Sequence, residues 1–127
     1  MNMNPYQSYQ RTRVETASPL QLVIMLYDGA LRYMNHAKQA LNAKDVVRSN
    51  ELLQKAQDII SELTITLNPE AGEITANLAG LYEYVDYCLI QANIKKDPEW
   101  LEPPIQIMST LRSGWAELQV PTAKVVG

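Results

Sequence analysis

Thr16 to Met34 reads TASPLQLVIMLYDGALRYM, and this stretch announces the start of a long amphipathic helix. Ser18 is a good N-cap, because its hydroxyl can accept from an otherwise unpaired amide of the first turn. Pro19 follows where its missing N–H costs nothing, and Gln21 completes a Ser-x-x-Gln capping box. Apolar side chains then recur at helical spacing: Val23, Leu26, Tyr27, Ala30, Met34, Ala37 and Leu41. They make one broad stripe. Gly29 stands in the middle of it, where glycine costs roughly 1 kcal/mol relative to alanine. Its presence points to close approach by another backbone, that of a neighbouring helix or of a bound segment.

Working outward, the same pattern predicts three more helices. The first runs from Ser18 to about Asn42. Asp45 can cap a second, whose stripe is Ser49, Leu52, Leu53, Ala56, Ile59, Ile60, Leu63 and Leu67. Asn68-Pro69 ends it and Gly72 marks the turn. A third carries Ile74, Asn77, Leu78, Leu81, Tyr84, Val85, Cys88, Leu89 and Ala92 on one side, and stops at Lys95-Lys96 ahead of Asp97-Pro98. Pro103-Pro104 cannot lie inside a helix without losing a hydrogen bond and clashing with the preceding turn. The expectation is therefore a short turn over Pro98 to Leu101 and a fresh helix from Pro104 through Ile105, Met108, Leu111, Trp115 and Leu118. No stretch alternates as a strand would. Four helices with short connections pack as an antiparallel up-and-down four-helix bundle, an all-α fold. The whole chain, 1–127, reads as a single domain, with 1–17 as a polar arm and 120–127 as a frayed tail.

Composition narrows the function. At 127 residues the chain can bury one sizeable core. A net charge of -3 argues against nucleic acid as the main partner, which needs a clustered basic face. No apolar run approaches the ~20 residues of a membrane span, and MNMNPYQS lacks the basic and apolar regions of a signal peptide. A cytoplasmic protein without membrane insertion is expected. The single cysteine, Cys88, has no internal disulfide partner, which fits a reducing compartment. Phenylalanine is absent, whereas tyrosine occurs seven times and methionine five. Tyrosine suits half-wet surfaces and methionine adapts to varied shapes, so the bias favours a surface that receives another chain.

Candidate chemistry is sparse. There is no Gly-rich phosphate loop, no nucleophile elbow and no nucleophile-base-acid set, so no catalytic or cofactor-binding residue is assigned. Di-metal bundles use Glu-x-x-His pairs, but the only histidine, His36, has no glutamate three residues before it. No metal ligand is assigned, and His36 is expected to be exposed. Cys88 lies on an apolar stripe, where cysteine acts as a small hydrophobe.

Two segments echo each other, Leu26-Tyr27-Asp28 and Leu81-Tyr82-Glu83. Periodicity points Leu26 and Leu81 inward and leaves Tyr27 and Tyr82 at the stripe edge. Boundary packing and partner contact are both open for each ring. In the arm, Tyr6 and Tyr9 supply enough apolar area to dock in a groove. Each buried ring contributes a few kcal/mol before ordering costs. Such an arm can cover a binding groove until a partner displaces it.

The motifs also occur in a familiar order. TASP, LV and MLYDGA open the series, with the tyrosine-bearing NPYQSYQ of Asn4 to Gln10 before them. Asn50, Lys55, Ala56, Gln57, Ile59, Ile60, Glu62 and Leu63 fit an N-x-x-x-x-K-A-Q-x-I-I-x-E-L pattern. Gly72-Glu73-Ile74, Asn77-Leu78, Leu81-Tyr82, Tyr84, Ala92-Asn93, Leu111-Arg112 and Ala116 follow. Over roughly Asn4 to Leu118 the chain resembles the flagellin-specific export chaperones of bacterial flagellar assembly. It departs from them at Pro103-Pro104, and at Tyr87 and Cys88, where the family commonly carries basic residues.

The resemblance implies a cytosolic chaperone that binds the disordered C-terminal segment of flagellin, prevents premature polymerisation and supports delivery to the flagellar type III export apparatus. It also implies that the arm contacts an export-gate component. The candidate partner-contacting residues are Tyr6, Tyr9, Leu26, Tyr27, Gly29, Asn77, Leu81 and Tyr82. The alternatives are a helical-bundle adaptor or regulator for a different partner, and a metal-binding bundle.

Overall fold

The computed structural model describes residues 17–119. Four helices fill most of that span: α1 (Pro19–Asn42), α2 (Val46–Ile65), α3 (Glu73–Lys95) and α4 (Glu102–Glu117). Short 3-10 turns, Pro69–Ala71 and Pro98–Leu101, join the last three.

The helix ends follow from local chemistry. Ser18 Oγ accepts from the Gln21 amide at 3.1 Å, and Gln21 Oε1 accepts from the Ser18 amide at 2.8 Å, which closes the capping box. Asp45 caps α2 through the Arg48 amide at 3.1 Å. Asn68 and Asp97 cap the two 3-10 turns in the same way, at 3.0 and 2.9 Å. Gly72 turns the chain into α3 at φ 79° and ψ -138°, a conformation open to glycine. Lys96 ends α3 in the left-handed region at φ 51°. The last helix begins at Glu102, two residues before the expected start, so both prolines sit in its first turn, where no intrahelical N–H is required.

Cross-helix pairs show the topology. Tyr33 and Gly29 of α1 meet Lys55 and Ile59 of α2. Asn93 donates to Asn50 at 2.8 Å and Gln57 to Asp86 at 3.1 Å, joining α2 to α3. Lys38 pairs with Glu102 and Arg112 with Asp28, joining α1 to α4. In each set the residue number rises along one helix as it falls along the other, so neighbours are antiparallel. The ring closes with α4 against α1. Across its diagonal, parallel helices α1 and α3 meet through Tyr27 and Tyr82.

The core collects Tyr27, Ala30, Met34 and Ala37 from α1, Leu53, Ala56, Ile60 and Leu63 from α2, Tyr82, Val85, Leu89 and Ala92 from α3, and Leu101 and Met108. The rotation of the helices corrects one expectation. Tyr27 and Tyr82 are 0% and 2% exposed, whereas Leu26 is half-buried and Leu81 is 36% exposed. The tyrosines can sit inside because their hydroxyls share a hydrogen bond, one donating to the other at 2.5 Å. Nothing in α3 before Tyr82 is buried, so Ile74 and Asn77, expected on the inner side, face solvent. Tyr84, placed inward by periodicity, is also exposed, whereas Cys88 is buried and His36 exposed.

Candidate functional site

The seams of the ring form shallow grooves. Between α1 and α2 a groove of about 440 Å³ is walled by Leu22, Met25, Leu26 and Ile59. Gly29 lies at its floor. The atom nearest to where a Cβ would stand is Ile59 Cδ1, at 3.1 Å. The close neighbour is therefore a side-chain tip and not the helix backbone that the glycine had implied. Tyr33 closes one end, with Arg32 and Lys55 within 5.8 and 5.7 Å of its ring centre. Glu62 and Thr66 line the groove farther along.

Two further grooves flank α3. One of about 400 Å³ lies against α4 and carries Leu81, Pro103, Ile107 and Leu111. The other, about 510 Å³, lies against α2 and carries Ile60, Ile65, Ala79 and the edge of Tyr82. Outside these grooves α3 also exposes Ile74, Tyr84, Tyr87 and Ile94, the first and last at 70%. The α1/α4 seam is different. It is polar, lined by Gln21, Asp28, Arg112 and Gln119, and closed by a two-pronged ion pair: Arg112 Nε and Nη2 donate to the two Asp28 carboxylate oxygens at 2.8 and 3.3 Å.

Beneath the grooves the polar groups are held neutral. Burial raises Tyr27 above the usual phenol value, although contacts with Tyr82 and Trp115 oppose it. Burial and then the bond to Tyr27 push Tyr82 up strongly. Burial also raises the Cys88 thiol, which suits an inert packing role more than a nucleophile. The indole N–H of Trp115 is buried without a hydrogen bond of ordinary geometry. Among the described residues no three His, Cys, Asp or Glu side chains could hold a metal ion together, and no helix is long and apolar enough to cross a membrane.

The candidate residues do not form one patch. Leu26 and Gly29 line the α1/α2 groove, and Leu81 lines the α3/α4 groove. Tyr82 reaches a groove only by its edge, and Tyr27 belongs to the core. Asn77 is exposed apart from these grooves. Tyr6 and Tyr9 lie outside the described residues. Sequence reasoning missed Met25, Tyr33 and Ile107 as groove walls. Their only signal was a position beside the buried stripe.

Residues 2–122 match the family model described as flagellar protein FliS. The chain belongs to the FliS family. It is 41% identical over 114 residues to the flagellar secretion chaperone FliS of Bacillus subtilis, covering 90% of this chain and 85% of that protein. The FliS of Salmonella typhimurium is 36% identical, with 88% and 87% covered. A crystal structure of a flagellar chaperone from bacteria shares the fold, with TM-score 0.75 and 22% identity over 91% of this chain and 97% of the other. The groove-forming segments of α1 to α4 all fall within the span that matches FliS.

Proposed function

We propose that this chain is a secretion chaperone dedicated to flagellin. It binds the disordered C-terminal segment of unassembled flagellin in the cytoplasm, masks that segment against premature polymerisation, and hands the subunit to the flagellar type III export apparatus. One observation carries the reading: among the described residues, grooves with apolar walls run along three seams of the bundle, outside its buried core. Grooves of that kind accept apolar anchors of an amphipathic or extended segment, and the task requires no bond to be made or broken. Ordering the segment consumes part of the contact energy, which keeps a large contact reversible.

Leu26, Gly29 and Leu81 contact the client in this scheme, with Tyr82 supplying a ring edge and Asn77 a polar contact. Tyr27 serves by fixing the register of α1 against α3. The arm, with Tyr6 and Tyr9, covers a groove in the free protein and is displaced by the client, and it can then engage an export-gate component. Titration calorimetry with full-length flagellin and a C-terminally truncated form tests the central claim. One-to-one binding to the full-length protein, lost on truncation, is expected. Equal affinity for both forms would rule out the C-terminal segment as the site.

A further inference from the structure

The α1/α2 groove has a charge arrangement that the other seams lack. Lys38 and Arg112, the cations bridging α1 and α4, are each matched to a carboxylate, Glu102 and Asp28. Arg32 and Lys55 are not. They come from different helices and converge on the single ring of Tyr33, and among the described residues no carboxylate lies within ion-pair distance of either. An aromatic face attracts one cation, but two like charges around one ring repel each other. An anion brought to that place relieves the repulsion. The position also has a direction: Arg32 and Tyr33 line one end of the apolar trough, Lys55 stands beside that ring at the trough's margin, and Glu62 farther along supplies the opposite sign.

From this convergence we infer that the groove reads a side-chain carboxylate on the client: an aspartate or glutamate, following apolar anchors laid against Leu22, Met25 and Leu26, docks at the Tyr33 end beside Arg32 and within reach of Lys55. The inference rests on the flagellin-binding reading above and adds register to it. Apolar anchors alone slide along a trough, whereas a charged group with a fixed counterpart sets where the segment stops. Arg32 supplies the more specific contact, since its guanidinium can grip both carboxylate oxygens while lysine acts as a point charge.

The test compares three peptides of the cognate flagellin C-terminal segment: the native sequence, the same sequence with every Asp and Glu changed to Asn and Gln, and the native sequence with an amidated terminus. The wild-type protein is expected to prefer the native peptide over the neutralised one by about five- to tenfold at low salt, the scale of two exposed charge contacts. That preference shrinks as salt is raised. In the Arg32→Gln, Lys55→Gln double variant the preference vanishes, while Arg48→Gln, which removes a charge outside the groove, retains it. Both substituted side chains are exposed, and circular dichroism is expected to show an unchanged helical fold. A preference that survives in the double variant, or is absent from the wild type, overturns the inference and leaves flagellin binding standing. If amidation alone abolishes the preference, the group read is the chain terminus and the side-chain assignment fails. If the wild type binds none of the peptides, flagellin binding by this segment falls, and the carboxylate site with it.

Discussion

At the residue scale the two tyrosines and the one glycine of the α1 motif behave differently from their sequence reading. Tyr27 and Tyr82 form a buried hydroxyl pair, with the Trp115 ring 6.4 Å from that of Tyr27. Tyr27→Phe leaves the Tyr82 hydroxyl unpaired and removes a hydroxyl that neighbours the Trp115 indole. A loss of about 1–3 kcal/mol is expected from urea unfolding. Tyr82→Phe is expected to cost less, because the Trp115 indole N–H can still donate to the remaining Tyr27 oxygen. The pair also predicts alkaline behaviour. Both phenols are raised above their unfolded value of 10.0, so their contribution is complete below about pH 10 and declines as pH rises from there toward the native values. The double Phe variant removes that component, and unfolding curves at neutral and alkaline pH measure it. A second prediction concerns Gly29. Leucine there is the better helix former by roughly 1 kcal/mol, and the atoms it would meet first, Ile59 Cδ1 at 3.1 Å and Arg32 Nη2 at 3.9 Å, are the ends of flexible side chains. Gly29→Leu is therefore expected to melt within a few degrees of wild type while filling the groove floor, which weakens flagellin binding by about tenfold, on the order of 1.4 kcal/mol. Full affinity in that variant would remove the α1/α2 groove from the site.

At the element scale the helix boundaries were legible because their causes are local. Ser18, Asp45, Gly72 and Asp97 each act within a few residues of themselves, and all four stand at the ends that the sequence predicts. The rotation of α3 was not legible. Its apolar residues are spread around the helix among polar ones, so periodicity alone gives no unique inner face, and Ile74, Leu81 and Tyr84 are exposed where their spacing predicts the inner side. The choice falls to packing, which favours the side whose tyrosine finds a partner hydroxyl. In the proposed scheme the arm competes with the client for a groove. Removing residues Met1 to Gln10 is expected to raise the association rate with flagellin and leave circular dichroism of the bundle unchanged, because an occupied groove binds only for the fraction of time it is free. Stopped-flow association of the deletion, Tyr6→Ala and Tyr9→Ala forms measures this. Slower association in all three, with the fold intact, would mean that the arm holds the client and does not gate it.

At the scale of the whole molecule, a ring of four antiparallel helices leaves each seam accessible from outside while the stripes meet within. The seams then differ by what lines them: ion-paired between α1 and α4, mixed between α2 and α3, and mainly apolar along the other two. The sequence by itself determined the helices, their ends, the order of the bundle and the absence of a recognisable catalytic motif, because capping, turn chemistry and stripe spacing act over a few residues. It also carried the ordered motifs by which the chain belongs to the FliS family. Only the tertiary structure decided which side chains became core and which became groove. Leu26 and Tyr27 are adjacent in the chain and differ by one step around α1. Which of them is buried depends on what α3 presents from across the diagonal, and no rule confined to one helix contains that information. The convergence of Arg32 and Lys55 on Tyr33 has the same origin. It joins two helices at a place defined by their mutual register, a property of the packed ring.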